Sequence, residues 1–212
     1  MAQPADDAPR PMGVIWMLDL DEPVPRIDPN IPVTFRRAGQ ETTRTLGTAL
    51  GGDSSAELRA RFETGRHCYA AWVASTLAAY GWVSFDEEFI GELGLRLKLL
   101  PGEAYIWDCV TLPAYRQNHL YSALLGYMLH ELRAEPLCRV WIGADYDNLP
   151  SQRGIERAGF HPIADMVIAR VLPLRQMWVQ GRPGVPESLV LEARRVFLGD
   201  RDRVWLDLVR RA

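Results

Sequence analysis

Apolar and polar positions change period several times along this chain, and the changes divide it into elements. The unbroken apolar run Val14-Ile15-Trp16-Met17-Leu18 sits within residues 1–32, which also carry Pro4, Pro9, Pro11, Pro23, Pro25, Pro29 and Pro32. Those prolines forbid a long helix and predict an extended arm, in which the apolar run adds an edge strand or covers the core. A short strand, Ile31 to Arg37, opens the next region, and helical stretches follow near 41–50 and 54–64. Gly51-Gly52 breaks them, and Asp53, Ser54 or Ser55 can cap the second.

Residues His67 to Ser75 and Leu77 to Phe85 are rich in β-branched and aromatic types, as are Ile90 to Leu99 and Glu103 to Leu112. They predict a meander of antiparallel strands. Helical spacing returns in Leu120, Leu124, Met128 and Leu132; Arg139 to Ala144 reads as a buried strand, Ser151 to Ala158 as a helix ended by Gly159, and Met166 to Leu172 as a last strand. Gly181 to Pro186 is a linker, followed by amphipathic helical stretches near 187–198 and 201–211 that dock on the main domain or on a second copy of the chain. The alternation alone supports an α/β or α+β sheet.

Composition narrows the function. With 48% hydrophobic and 24% charged residues in 212, the chain is ordinary globular material that buries a core unaided. A net charge of -3 with dispersed arginines offers no footprint for nucleic acid. Cys68, Cys109 and Cys138 are odd in number, widely spaced and set among apolar residues, so they read as reduced core thiols; no CxxC or HExxH spacing suggests a metal. The N-terminus lacks a basic and apolar leader, and no segment approaches the roughly 18 apolar residues of a membrane span. Cytoplasm is the expected location, with no membrane partner.

Two stretches carry candidate chemistry. Val110-Thr111-Leu112-Pro113-Ala114-Tyr115-Arg116-Gln117-Asn118-His119-Leu120-Tyr121-Ser122 is a strand breaking into a helix, a frame whose backbone N–H groups and dipole can hold a phosphate. Asn148-Leu149-Pro150-Ser151 runs through a second helix to Ala158-Gly159-Phe160. Together they resemble the acyl-CoA site of the GNAT family of N-acetyltransferases, over about residues 33–172. The family pattern of Gln or Arg, two residues, Gly, one residue, Gly or Ala falls on Arg116 to Tyr121; Arg116 matches, while His119 and Tyr121 replace the small residues. Asn148, Ser151 and Ala158-Gly159-Phe160 match the second motif without insertion.

The resemblance implies a central mixed sheet of about six to seven strands flanked by helices, as residues 33–175, between the N-terminal arm (1–32) and a linker with a C-terminal helical extension (176–212). It implies acetyl-CoA as co-substrate and direct acetyl transfer to a small-molecule or peptide amine. It assigns Val110, Thr111 and Leu112 backbone contacts to pantetheine, with one amide near Val110 or Thr111 as oxyanion donor. Phosphate contacts fall to Arg116, Gln117, Asn118, His119, Leu120, Tyr121 and Ser122, and the pantetheine arm to Asn148 with Ser151 nearby. The same Asn148 equally suits a helix cap.

The family's usual acid, a tyrosine midway along the helix after Asn148, is Ile155 here. Tyr121, Tyr146 or water must then protonate the thiolate, unless it leaves unaided. Asp108, in the apolar strand Ile106-Trp107-Asp108-Cys109-Val110, is the candidate base, with burial expected to raise its pKa and a structural ion pair as the alternative role; Glu92, Glu103 and Asp145 are weaker candidates. A β-bulge at this point would reset which residues face the substrate. The aromatics Trp72, Tyr80, Trp82, Phe85, Tyr105 and Trp107 read as core, or as walls of an acceptor pocket. Among the histidines only His119 lies where chemistry is expected. Two rival functions remain: transfer of longer acyl groups from CoA or an acyl carrier protein, for which Arg116, Arg153 and Arg157 begin a basic rim, and a GNAT-shaped binding or scaffold module without turnover.

Overall fold

The computed structural model describes residues 8–49, 55–91, 94–171, 174–199 and 201–206. Its strands are β1 (Arg10–Asp19), β2 (Thr34–Ala38), β3 (His67–Val73), β4 (Thr76–Ser84), β5 (Glu87–Ile90), β6 (Leu95–Lys98), β7 (Glu103–Thr111), β8 (Arg139–Asp145), β9 (His161–Val171), β10 (Leu174–Gly181) and β11 (Arg203–Leu206). The helices are α1 (Thr43–Ala49), α2 (Ser55–Glu63), α3 (Leu120–Leu132), α4 (Leu149–Arg157) and α5 (Glu187–Leu198). Nine strands form one mixed sheet in the order β11-β10-β9-β1-β8-β7-β4-β3-β2, while β5 and β6 form a separate hairpin. Only β7 and β8 run parallel; the other neighbours in the large sheet are antiparallel.

The largest departure from the sequence expectation is β1. It is no edge strand: Gly13 to Asp19 pair with β8 while Arg10 to Met17 pair with β9, so the N-terminal segment fills the middle of the sheet. Burial explains the fit. Val14, Trp16 and Leu18 enter the core on one face, and Ile15 and Met17 enter the core on the other. A strand covered on both faces must be apolar at successive positions, which an edge strand need not be. Residues 90–99 also depart from the meander, because Glu87–Ile90 and Leu95–Lys98 pair only with each other. The stretch expected as a second C-terminal helix is strand β11 at Arg203–Leu206, paired with β10, and residues 207–211 of that stretch lie outside the described residues. The sheet is therefore wider than the six or seven strands expected. The expected capping residues Asp53 and Ser54 also lie outside the described residues.

Helices α3 and α4 cover one face through Leu120, Leu124, Leu125, Met128 and Ile155. The opposite face carries α5 with the β5–β6 hairpin at one end and α1 with α2 at the other, and Trp107 packs against both of those clusters. Helix α5 is also held by charge. Arg195 Nη2 donates to Glu103 Oε1 at 2.5 Å, and Glu192 pairs with Arg139, whose Nε reaches Asp19 at 2.6 Å. Glu103 is only 6% exposed, so this ion pair is largely sheltered from solvent. The C-terminal helix thus docks on its own sheet, and Glu103 is spoken for as a structural anchor.

Candidate functional site

The sheet opens at one seam. β7 and β8 pair from Glu103↔Arg139 to Ile106↔Ile142 and no further, after which β7 stays with β4 as far as Thr111 and β8 stays with β1 as far as Asp145. The departure coincides with a bulge. Tyr80 pairs with Val110 and Trp82 with Trp107, so Gly81 alone faces both Asp108 and Cys109. Asp108 takes a left-handed φ of 43°, which a non-glycine residue adopts only at a cost. Gly81 makes room for the bulge: a Cβ there would lie 2.7 Å from Cys109 Sγ.

Leu112 N–H donates to Ala78 O at 2.9 Å, which orients the end of β7. By alternation along an antiparallel strand, Val110 faces β4 as Leu112 does, and Thr111 turns its backbone toward the opening. Arg116 Nε occupies Thr111 O at 3.2 Å.

Two cavities flank the seam. One, of about 820 Å³, lies on the α3–α4 side and is lined by Val110, Thr111, Arg116, Gln117, His119, Leu120, Tyr121, Ser122, Asn148 and Ser151, together with Arg153 and Arg157. The other, of about 1110 Å³, is lined by Tyr105, Trp107, Asp108, Asp145, Tyr146, Asp147, Met12, Met166, Ile168, Arg10 and Arg175. Cys109, Tyr121, Asn148 and Ser151 line both. Of the expected site residues only Leu112 and Asn118 line neither. The Asn118 side chain turns into its own loop, donating to Tyr115 O at 3.2 Å and Arg116 O at 3.0 Å, and its carbonyl accepts from Asn30 N–H.

The start of α3 keeps the backbone form of a glycine loop without the glycines. Gln117 and His119 both have positive φ, 65° and 59°. His119 stands at the N-cap, yet no side chain accepts from the first amides; the first backbone bond is Ala123 N to His119 O at 3.0 Å. Open amides at the positive end of a helix favour an anion. Arg157 Nη1 lies 2.8 Å from His119 Nδ1, adding a cation beside them.

The start of α4 is closed. Asn148 Oδ1 accepts from Ser151 N–H at 3.2 Å, the N-cap role foreseen for it, which leaves its amide nitrogen without a partner among the described residues. Ser151 Oγ donates to Tyr121 Oη at 3.2 Å, so the phenol accepts there and its own proton is free to point elsewhere. The Tyr121 ring lies against Gly154, where a Cβ would come 2.4 Å from its Cδ1. Burial raises the phenol's pKa, and the Ser151 hydrogen bond only partly offsets this, so Tyr121 stays protonated near neutrality. Ile155, by contrast, is fully buried in the core below α4 and reaches no cavity.

Asp108 is not isolated in apolar surroundings. Arg61 Nη1 of α2 donates to its Oδ2 at 2.5 Å, Arg61 also bridges to Glu57, and the guanidinium lies 4.5 Å from the Trp107 ring centroid and 5.2 Å from that of Trp82. Burial opposes the charge on Arg61, but the hydrogen bonds to Asp108 and Glu57 outweigh it and raise its pKa. Nothing in the sequence marks Arg61, because an arginine on an early helix gives no local sign of a partner 47 residues away. Burial pushes the Cys109 thiol up, so at the junction of the cavities it is an apolar wall and not a nucleophile.

Among the weaker base candidates, Asp145 lines the larger cavity, Glu103 is held by Arg195, and Glu92 lies outside the described residues. Tyr105 and Trp107 line that cavity as well, whereas Trp72, Tyr80 and Trp82 are buried core and Phe85 packs on the opposite face. All three cysteines are free, but only Cys68 is a buried core thiol as expected; Cys109 is half-buried and Cys138, just before β8, is exposed. No cluster of three metal-ligating side chains occurs among the described residues. No helix among them is long and apolar enough to cross a membrane.

A sheet opened between two parallel strands, with an anion-accepting helix start on one side and an acid-lined cleft on the other, defines a class of site that joins two substrates across a seam. The model of the acetyltransferase (GNAT) family matches residues 44–160, more than half of the chain, and the chain belongs to that family. Solved structures share the fold. A GNAT-family acetyltransferase from Colwellia psychrerythraea aligns with a TM-score of 0.57 and 13% identity, over 82% of this chain and 57% of its own. A GNAT-family acetyltransferase from Novosphingobium aromaticivorans gives 0.52 and 20%, over 79% and 67%. The structure of AAC(6')-Iy with a bisubstrate analogue of CoA gives 0.50 and 13%, over 61% and 91%. The chain thus spans little more than half the length of the first of these. No curated protein sequence matches this chain.

Proposed function

We propose that the chain transfers an acetyl group from acetyl-CoA directly to an amine. The opening between β7 and β8 carries this reading, because it joins a groove suited to a phosphorylated thioester with a cleft suited to an amine. The phosphates meet the open amides of α3 with Arg153 and Arg157 nearby, and pantetheine lies along β7 against Thr111 and the free amide nitrogen of Asn148. Thr111 N–H is the oxyanion donor, since Val110 faces β4.

The amine enters from the Asp108 side. Its nitrogen attacks the thioester carbonyl carbon, the C–N bond forms, and the C–S bond breaks. Asp108 takes the ammonium proton, directly or through water, while Arg61 fixes its rotamer. Tyr121 gives its proton to the departing thiolate, replacing from α3 the acid that Ile155 cannot supply from α4. Transfer in this manner suits a cytoplasmic protein with free thiols.

Release of CoA from acetyl-CoA in the presence of an amine library, with acetylated product confirmed by mass, tests the proposal. Tyr121→Phe is expected to lower kcat about 100-fold or more with little change in KM for acetyl-CoA, because one proton transfer is lost. Asp108→Asn is expected to lower kcat/KM for the amine. Absence of CoA release with every amine contradicts acetyl transfer and favours a binding module. Full activity in both variants contradicts the two assignments.

A further inference from the structure

The larger cavity is charged differently at its two ends. At the seam it holds Asp108, with Asp145 and Asp147 beyond it, and at its far end Arg10 and Arg175. No ion pair or hydrogen bond engages the side chain of either arginine among the described residues, although eleven ion pairs tie up arginines and a histidine elsewhere. Register brings a third cation to the same place. Arg175 of β10 is paired directly with Arg170 of β9, and Arg10 of β1 with Ile168 two residues before it. Cross-strand partners project to one face, so Arg10, Arg170 and Arg175 share the face that carries the cavity. Like charges set opposite each other disfavour the free protein and are relieved by a bound anion.

Resting on the acetyl-transfer reading, we infer that the acceptor is an amine that carries a remote anionic group, a carboxylate or phosphate, bound by Arg10 and Arg175 while its amine sits by Asp108. The two ends are far apart. Asp108 stands two residues past Ile106, which is level with Ile142 and Trp16, so Arg10 lies roughly 13 Å farther along the sheet, at ~3.3 Å per strand residue. Even with long arginine side chains, the amine and the anion must be separated by an extended body. Met12 and Met166 line the wall between them together with Asp145 and Tyr146, so that body meets both apolar and polar groups.

Calorimetric binding of an ω-aminoalkanoate, an ω-aminoalkylphosphonate and the alkylamine of equal length tests this in the presence of CoA, with CoA release measured alongside. One of the two anionic amines is expected to bind about tenfold or more tightly than the alkylamine, the scale of a charge-assisted hydrogen bond. In the Arg10→Gln/Arg175→Gln double variant that ratio should fall to about one while the melting temperature holds, since both side chains are exposed. Equal binding of all three probes, or a preference that survives the double variant, overturns the inference. The two readings fail separately: acetyl transfer without an anion preference overturns only the inference, and an Arg-dependent preference without transfer upholds the anion subsite and overturns the transferase.

Discussion

Two helices begin at the seam, and their first turns are built in opposite ways. α4 is closed by its own sequence, with Asn148 Oδ1 on Ser151 N–H. α3 begins from His119 in a left-handed conformation, with no side chain on its amides. Both starts line the same groove. A helix start that satisfies itself is a structural joint, whereas one left open keeps its partial positive charge for something else. On the proposed reading the anion falls to α3, although α3 has lost the glycines of the family pattern. Positive φ at Gln117 and His119 preserves the course of the backbone, and the backbone is what meets a phosphate.

The contrast can be broken most severely by closing α3. His119→Asp places a carboxylate on the open amides at a position whose left-handed backbone aspartate tolerates. Affinity for acetyl-CoA, read by calorimetry, should fall at least about 100-fold, because a like charge near 4 Å opposes a phosphate by about 4 kcal/mol at intermediate dielectric. Thermal stability should hold or rise. Next in size is Gly154→Ala, whose Cβ would force the Tyr121 ring off α4 and into the groove. Both kcat and CoA affinity should fall about tenfold or more, as expected of overpacking that costs ~1–3 kcal/mol. A variant that binds CoA normally would show that the Tyr121 ring does not border its path.

Opening α4 has a smaller effect of another kind. Asn148→Ala should cost about 1 kcal/mol of stability, or roughly 2–4 °C in melting temperature for a chain of this size. Asn148→Asp keeps the cap oxygen and loses the amide donor, so it should hold stability and weaken CoA binding only a few-fold; equal destabilisation by both variants would deny the cap its role. Smallest of all, His119→Gly removes the cost of a left-handed non-glycine residue, about 1 kcal/mol, and should raise the melting temperature slightly with CoA affinity retained.

The order of the elements was legible wherever one period persisted. Leu120, Leu124, Met128 and Leu132 mark α3, and Pro113 with Gly159 mark ends. What escaped depends on partners distant in the chain. Val14 to Leu18 reads equally as an edge strand or a cover until β8 and β9 are seen on either side, although its lack of polar alternation already fits burial on both faces. Trp205 and Val204 share helical spacing with Leu208, but pairing with β10 makes Arg203–Leu206 a strand. Tertiary pairing overrides weak local preference there.

In the site, the family resemblance singled out Asn148 and left Tyr121 as one candidate acid, yet the Tyr121 partners, Ser151 and Gly154, emerge only from the packing of α3 on α4. Asp108 illustrates the same limit. Its sequence neighbours are apolar, and its electrostatic neighbour, Arg61, arrives from α2.

Calorimetric titration of the intact chain with acetyl-CoA, at low and high salt, tests the account of an open helix start beside a split sheet most directly. The account predicts one site per chain with a submillimolar Kd that weakens as salt rises, and loss of that site in His119→Asp. No heat and no thermal shift at millimolar acetyl-CoA, or binding that His119→Asp leaves intact, would contradict it.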